Sequence, residues 1–87
     1  MYNVTIKNRV LKRIKSMPDH IQKLLALLVD DIEASGPIRS DWQNYIRIGG
    51  ISHHCHLSYK WVACWTCEKE SINIEVYYAG SRENAPY

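Results

Sequence analysis

The chain has 87 residues, 46% of them apolar and 23% charged, with a net charge of +2; this fits one small domain with apolar content enough for a core and too much for a disordered chain. No apolar run approaches the ~20 residues that cross a bilayer and no secretory leader pattern opens the sequence, so no membrane association and a cytoplasmic location are expected. The three cysteines, Cys55, Cys64 and Cys67, are odd in number and few, which suits a reducing compartment better than a disulfide framework.

Tyr2, Val4 and Ile6 alternate with Asn3, Thr5 and Lys7, the period of a short strand. From Asn8 the period lengthens. Val10, Leu11, Ile14 and Met17 mark one face of a helix, which Pro18 stops. Pro18 and Asp19 suit the first turn of a second helix, whose apolar stripe is Ile21, Leu24, Leu25, Leu28 and Ile32. Gly36 ends it and Pro37 prevents its resumption. The pair predicts a helical hairpin.

Residues 37–51 show no period and are expected to be irregular, pinned to the domain by Trp42 and Tyr45 as packing anchors, with Gly49 and Gly50 supplying a bend. Three strand-like runs follow. In SHHCHLS, alternation puts Cys55 and Leu57 on one face and His54 and His56 on the other; His53 falls opposite that pair and is expected to be structural. In KWVACW, Trp61, Ala63 and Trp65 oppose Lys60, Val62 and Cys64. In INIEVYY, Ile72, Ile74, Val76 and Tyr78 oppose Asn73, Glu75 and Tyr77. An antiparallel meander results, with its apolar face on the helices and a mixed polar face left open. The expected architecture is α+β: a single two-layer domain over 1–87, with an N-terminal strand and helical hairpin packed on a mostly antiparallel four-stranded sheet.

Two imidazoles on one strand face, close in sequence to Lys60, carry the chemistry. An unperturbed pKa near ~6.5 lets histidine act as base or acid near neutrality. A zinc reading of HHCH with Cys64 and Cys67 has donors enough but poor geometry, since Cys64 and Cys67 point to opposite faces of a strand and Cys55 faces away from His54 and His56. No metal or cofactor is expected, and buried, inert thiols are the expected state of Cys55 and at least one other cysteine. Lys7, Arg9, Lys12, Arg13 and Lys15 crowd an N-terminal segment without acids. That segment reads equally as a surface for a polyanion and as the solvated side of an amphipathic helix.

The opening MYNVTIKNRVLKRIKSMP, an alternating strand, basic helix and proline leading into a longer helix, resembles RelE/ParE-superfamily toxins. So does HHCHLSYKWVACW, a strand of alternating basic residues followed by a basic, aromatic and apolar strand. VYYAGSRENAPY is similar to the closing strand, Arg-containing tail and terminal Tyr. The resemblance covers the whole chain. It implies a RelE-like domain and the toxin of a type II toxin–antitoxin system, with a cognate antitoxin protein as partner. The RelE branch implies a metal-free endoribonuclease that cleaves mRNA in the ribosomal A site and inhibits translation, with mRNA and the ribosome as further partners. The ParE branch implies a non-enzymatic gyrase inhibitor, and a degenerate toxin acting only through antitoxin binding is a further alternative.

Under the RelE implication the catalytic set is His54, His56, Lys60, Arg82 and Tyr87. His54 or His56 would be the base, Arg82 and Lys60 the charge stabilisers, and Tyr87 a platform for a nucleobase. Lys7, Arg9, Lys12, Arg13 and Arg47 would contact RNA. The chain departs from the pattern in three places. Lys60 lacks the planar fork of an arginine. Pro86 fixes the backbone before Tyr87. The sequence stops at Tyr87, where many members of the superfamily continue into a further helix, so a terminal carboxylate is expected to act on the site.

Overall fold

The structure, a computed structural model, describes residues 1–87. Both helices form where the apolar spacing predicts them, α1 over Asn8–Ile14 and α2 over Asp19–Ser35. They bury most of the predicted stripe: Val10, Ile21, Leu25, Leu28 and Ile32 are buried, with Met17 sealing the turn between the helices. Ile14 and Leu24 are half-buried against the core, but Leu11, expected on the same face, is 43% exposed. Gly36 ends α2 at a φ of 98°, and a Cβ there would meet the Tyr2 ring at 3.0–3.1 Å. The ring packs that closely because the Tyr2 N–H donates to the Glu33 carbonyl at 2.9 Å, tying the start of the chain to the end of α2.

The strands are β1 (Asn3–Ile6), β2 (Ile46–Ile48), β3 (Ser52–His56), β4 (Trp61–Cys67) and β5 (Asn73–Ser81), followed by a 3-10 turn at Arg82–Asn84. They form one sheet in the order β1-β5-β4-β3-β2. Strand β1 lies parallel to β5 and the other pairings are antiparallel. The sheet thus has five strands, not the four expected. The additional strand, β2, lies within the segment predicted to be irregular; it is three residues long and exposed throughout, too short for its Ile-Arg-Ile alternation to stand out as a strand on its own.

On the helical side, Cys55, Ala63, Trp65, Cys67, Ile74, Val76 and Ala79 join the helices in a core of 14 buried residues. The indole of Trp65 is fully buried and donates to the Pro37 carbonyl at 3.0 Å. Trp42 and Tyr45 pack against this core as the anchors predicted, and the Trp42 indole donates to the Asp31 carboxylate at 2.8 Å, binding the connecting loop to α2.

The other side carries a smaller cluster of Val62, Cys64 and Tyr78. Tyr78 was expected beside Ile74 and Val76. It lies on the opposite face because of a β-bulge: Cys64 pairs with Tyr78 while Trp65 pairs with Val76, leaving Tyr77 as an extra residue. One inserted residue reverses the phase of all that follow. No helix is long and apolar enough to cross a membrane.

Candidate active site

The period of β3 sets His54 and His56 on the sheet face turned away from the helices. Pairing with β2 brings Ile46 beside His54, and pairing with β4 sets Cys64 and Val62 opposite the two histidines. The chain leaving β5 then turns back over this face. Asn44, Ile46, Ile48, His54, His56, Arg82 and Tyr87 line a cleft of about 830 Å³, within the size range of small-ligand sites. Four of the five predicted catalytic residues therefore share one cleft, and Arg82 is the only formally charged side chain lining it.

The sequence led us to expect both imidazoles on an uncovered face, but they are covered. Tyr87 stacks on His54 with ring centroids 3.9 Å apart and planes at 16°, leaving His54 4% exposed. Nδ1 of His54 has no hydrogen-bonding partner in the protein. His56 is 9% exposed, and the Asn44 side-chain amide reaches its Nδ1 at a long 3.5 Å. The cause is the tail: the 3-10 turn reverses the chain, and the Tyr87 ring removes apolar surface from water by lying on the nearest aromatic face. One face of the expected platform is thus occupied by His54, although Tyr87 remains 50% exposed.

Burial pushes the pKa of His54 down, and the neighbouring His56 pushes it further, so His54 is neutral at pH 7. Burial likewise raises the Tyr87 phenol, which stays protonated.

The remaining predicted residues do not converge on the cleft. Lys60 is exposed and borders an adjacent hollow; its carbonyl accepts the Arg82 backbone N–H at 2.8 Å. Arg9 and Arg13 line a third hollow with Tyr77, Tyr78 and Pro86, and the Arg13 guanidinium carbon lies 6.0 Å from the Tyr78 ring centroid. Lys7 pairs with Glu75 at 3.7 Å, while Lys12 is exposed. Arg47 stands opposite His53 in the sheet, on the face away from His54, and donates to the Gly50 carbonyl at 2.8 Å. The predicted RNA contacts are therefore spread over more than one surface.

His53, expected to be structural, is 2% exposed and stacks on Trp65 with centroids 5.8 Å apart, while its Nδ1 lies 2.6 Å from the Tyr45 hydroxyl. Burial, followed by the charge of Arg47, lowers its pKa, so a neutral imidazole shares this hydrogen bond with the phenol. All three cysteines are free and buried, and burial pushes the Cys55 and Cys64 thiols up to about 12. Cys64 and Cys67 belong to the clusters on opposite faces of the sheet, so their thiols do not converge.

Asn44, Ile46 and Ile48 are site residues that the sequence reading missed. The available signal was Ile46-Arg47-Ile48 alternating immediately before Gly49-Gly50, with alternation resuming at Ser52: the mark of a hairpin.

No protein-family model matches the sequence, and no curated protein matches it. Solved structures do. RelE of the archaeal RelE–RelB complex from Pyrococcus horikoshii OT3 superposes with a TM-score of 0.76 at 17% identity, over 97% of this chain and 98% of that one. The isolated E. coli RelE toxin gives 0.75 at 17% identity, over 99% of this chain and 89% of that one. YoeB in its dimer from Staphylococcus aureus gives 0.73 at 10% identity, over 91% and 94%. The chain has the RelE-like toxin fold.

Proposed function

We propose that the chain is the toxin of a type II toxin–antitoxin pair and that it cleaves mRNA without a metal ion, in the ribosomal A site. One observation carries the reading: on a sheet shaped like those of RelE and YoeB, two imidazoles, a guanidinium and a tyrosine line a single cleft. The archaeal RelE was solved with RelB, and a cognate antitoxin is the partner proposed here.

Cleavage uses the 2′-hydroxyl of the RNA as nucleophile. Neutral His54, whose Nδ1 is unengaged, takes the hydroxyl proton as O2′ attacks the adjacent phosphorus. Arg82 balances the charge that builds on the phosphorane oxygens. His56, on the same face and beside the Asn44 amide, gives a proton to the departing 5′-oxygen. The products are a 2′,3′-cyclic phosphate and a 5′-hydroxyl. Tyr87 must lift from His54 for the 2′-hydroxyl to reach the imidazole, so the active state is one in which the tail has moved. Lys60 lies outside the cleft and serves RNA beyond the scissile phosphate.

The test is induction of the wild-type chain beside His54→Ala/His56→Ala/Arg82→Ala, with growth followed and 5′ ends mapped on a translated message. Arrest with new 5′ ends for the wild type, and neither for the variant, is the expected result. The cover over His54 favours a second reading, in which the chain acts by binding alone. Arrest with intact message and DNA damage would identify a gyrase inhibitor of the ParE kind. Absence of arrest would identify a chain that only binds its antitoxin.

A further inference from the structure

Beyond the cleft, Arg82 also lines a second hollow of about 400 Å³ with Tyr59, Lys60, Trp61, Ser81 and Glu83. Arg82 is the one residue that lines both hollows. Its carbon lies 4.9 Å from the centroid of the Tyr59 ring, over the ring face. Tyr59 is otherwise in water, 72% exposed at the tip of the β3–β4 connection. The Arg82 N–H is fixed to the Lys60 carbonyl at 2.8 Å, so Tyr59, Lys60 and Arg82 form one backbone-linked group.

We infer that this hollow is a second nucleotide subsite for single-stranded RNA, one residue along the strand from the scissile step. The inference rests on the nuclease reading for its ligand. Its physical basis is the pairing of a largely exposed aromatic ring with two cations. Bases stack on exposed aromatic rings whatever their identity, while adjacent cations follow the phosphates. Arg82 occupies one face of Tyr59 and leaves the other to a base. Glu83, on the same hollow, repels phosphate and directs the backbone to the Lys60 and Arg82 side. The hollow has about half the volume of the cleft, room for a single nucleotide where the cleft takes the two flanking the cut. An arginine that lines both hollows touches two successive phosphates.

The experiment is an NMR titration of the isotopically labelled full chain with 2′-O-methyl dinucleotides and trinucleotides, which bind without being cut. For the wild type, the trinucleotide binds more tightly and shifts the Tyr59 ring resonances upfield, while the dinucleotide does not shift them. Tyr59→Leu weakens the trinucleotide about tenfold more than the dinucleotide, and Tyr59→Phe retains the difference. Lys60→Ala lowers the salt dependence of trinucleotide binding by roughly 0.7 in log–log slope, the loss of one phosphate contact. Equal weakening at both lengths would mean that Tyr59 only steadies Arg82, and the subsite would be overturned with the nuclease reading intact. Absence of binding by the wild type at either length would overturn the subsite as well, and the 5′-end mapping on a translated message decides the nuclease reading separately.

Discussion

At the scale of single residues, the Tyr87–His54 stack decides the state of the site. His54 is held neutral mainly by burial, and Tyr87 supplies the cover. Replacing Tyr87 with Ala should let the His54 pKa rise toward the usual ~6.5, as read from imidazole resonances in an NMR pH titration. Tyr87→Phe keeps the ring and should leave the titration as it is. An unmoved pKa in Tyr87→Ala would mean that the sheet, not the tail, sets the basicity. The cysteines give a second residue-scale expectation. A thiol pushed to about 12 carries about a thousandfold less thiolate than one at the ordinary 9.0, so Cys55 and Cys64 should resist iodoacetamide at pH 8 until the chain is unfolded. Rapid labelling of either in the folded protein would show that its face of the sheet opens readily.

At the scale of elements, the bulge in β5 does most to shape the site face. It turns Tyr78 toward that face, where the ring folds back over Gly80 and donates its hydroxyl proton to the Ser81 carbonyl at 2.6 Å. A Cβ at position 80 would lie 2.9 Å from the Tyr78 hydroxyl oxygen. Gly80→Ala should therefore cost about 1–3 kcal/mol in urea unfolding, the usual cost of overpacking. Part of that cost should vanish on the background of Tyr78→Phe, which removes the crowded atom, so the two changes should not add. Additive effects would mean that the strand yields elsewhere. The bulge also marks the limit of what was legible in the sequence. The helices, the four strands other than β2, and the facing of His54 against Cys55 follow from local period alone. Neither the reversal at Tyr77 nor the pairing of Ile46 with His54 does, because both are set by a partner strand distant in sequence. Arg82 and Tyr87 came from the resemblance of the tail motif; their placement over β3 depends on how the chain folds back after β5, which no period encodes.

At the scale of the whole molecule, β3 sets a buried histidine into each face of the sheet: His53 against Trp65 and Tyr45, and His54 under Tyr87. Both pKa values lie below the usual ~6.5, burial being the first cause in each case, with Arg47 adding to it at His53 and His56 at His54. In the unfolded chain both groups titrate near ~6.5, so below that pH the unfolded state binds more protons and the stability of the fold must fall. The loss begins near pH 6.5 and continues downward until the folded pKa values are reached, with a ceiling of about 1.4 kcal/mol per pH unit for each histidine. Urea unfolding at pH 7.5, 6.5 and 5.5 should show this decline. His53→Gln and His54→Gln should each remove part of the slope even if each lowers the stability at pH 7.5. A wild-type stability that holds level or rises between pH 6.5 and 5.5 would mean that the fold accepts protons on both imidazoles. The neutral base on which cleavage depends would then be lost. A real decline instead joins stability to activity, because one proton on His54 would both strain the covered face and remove the group that takes the hydroxyl proton.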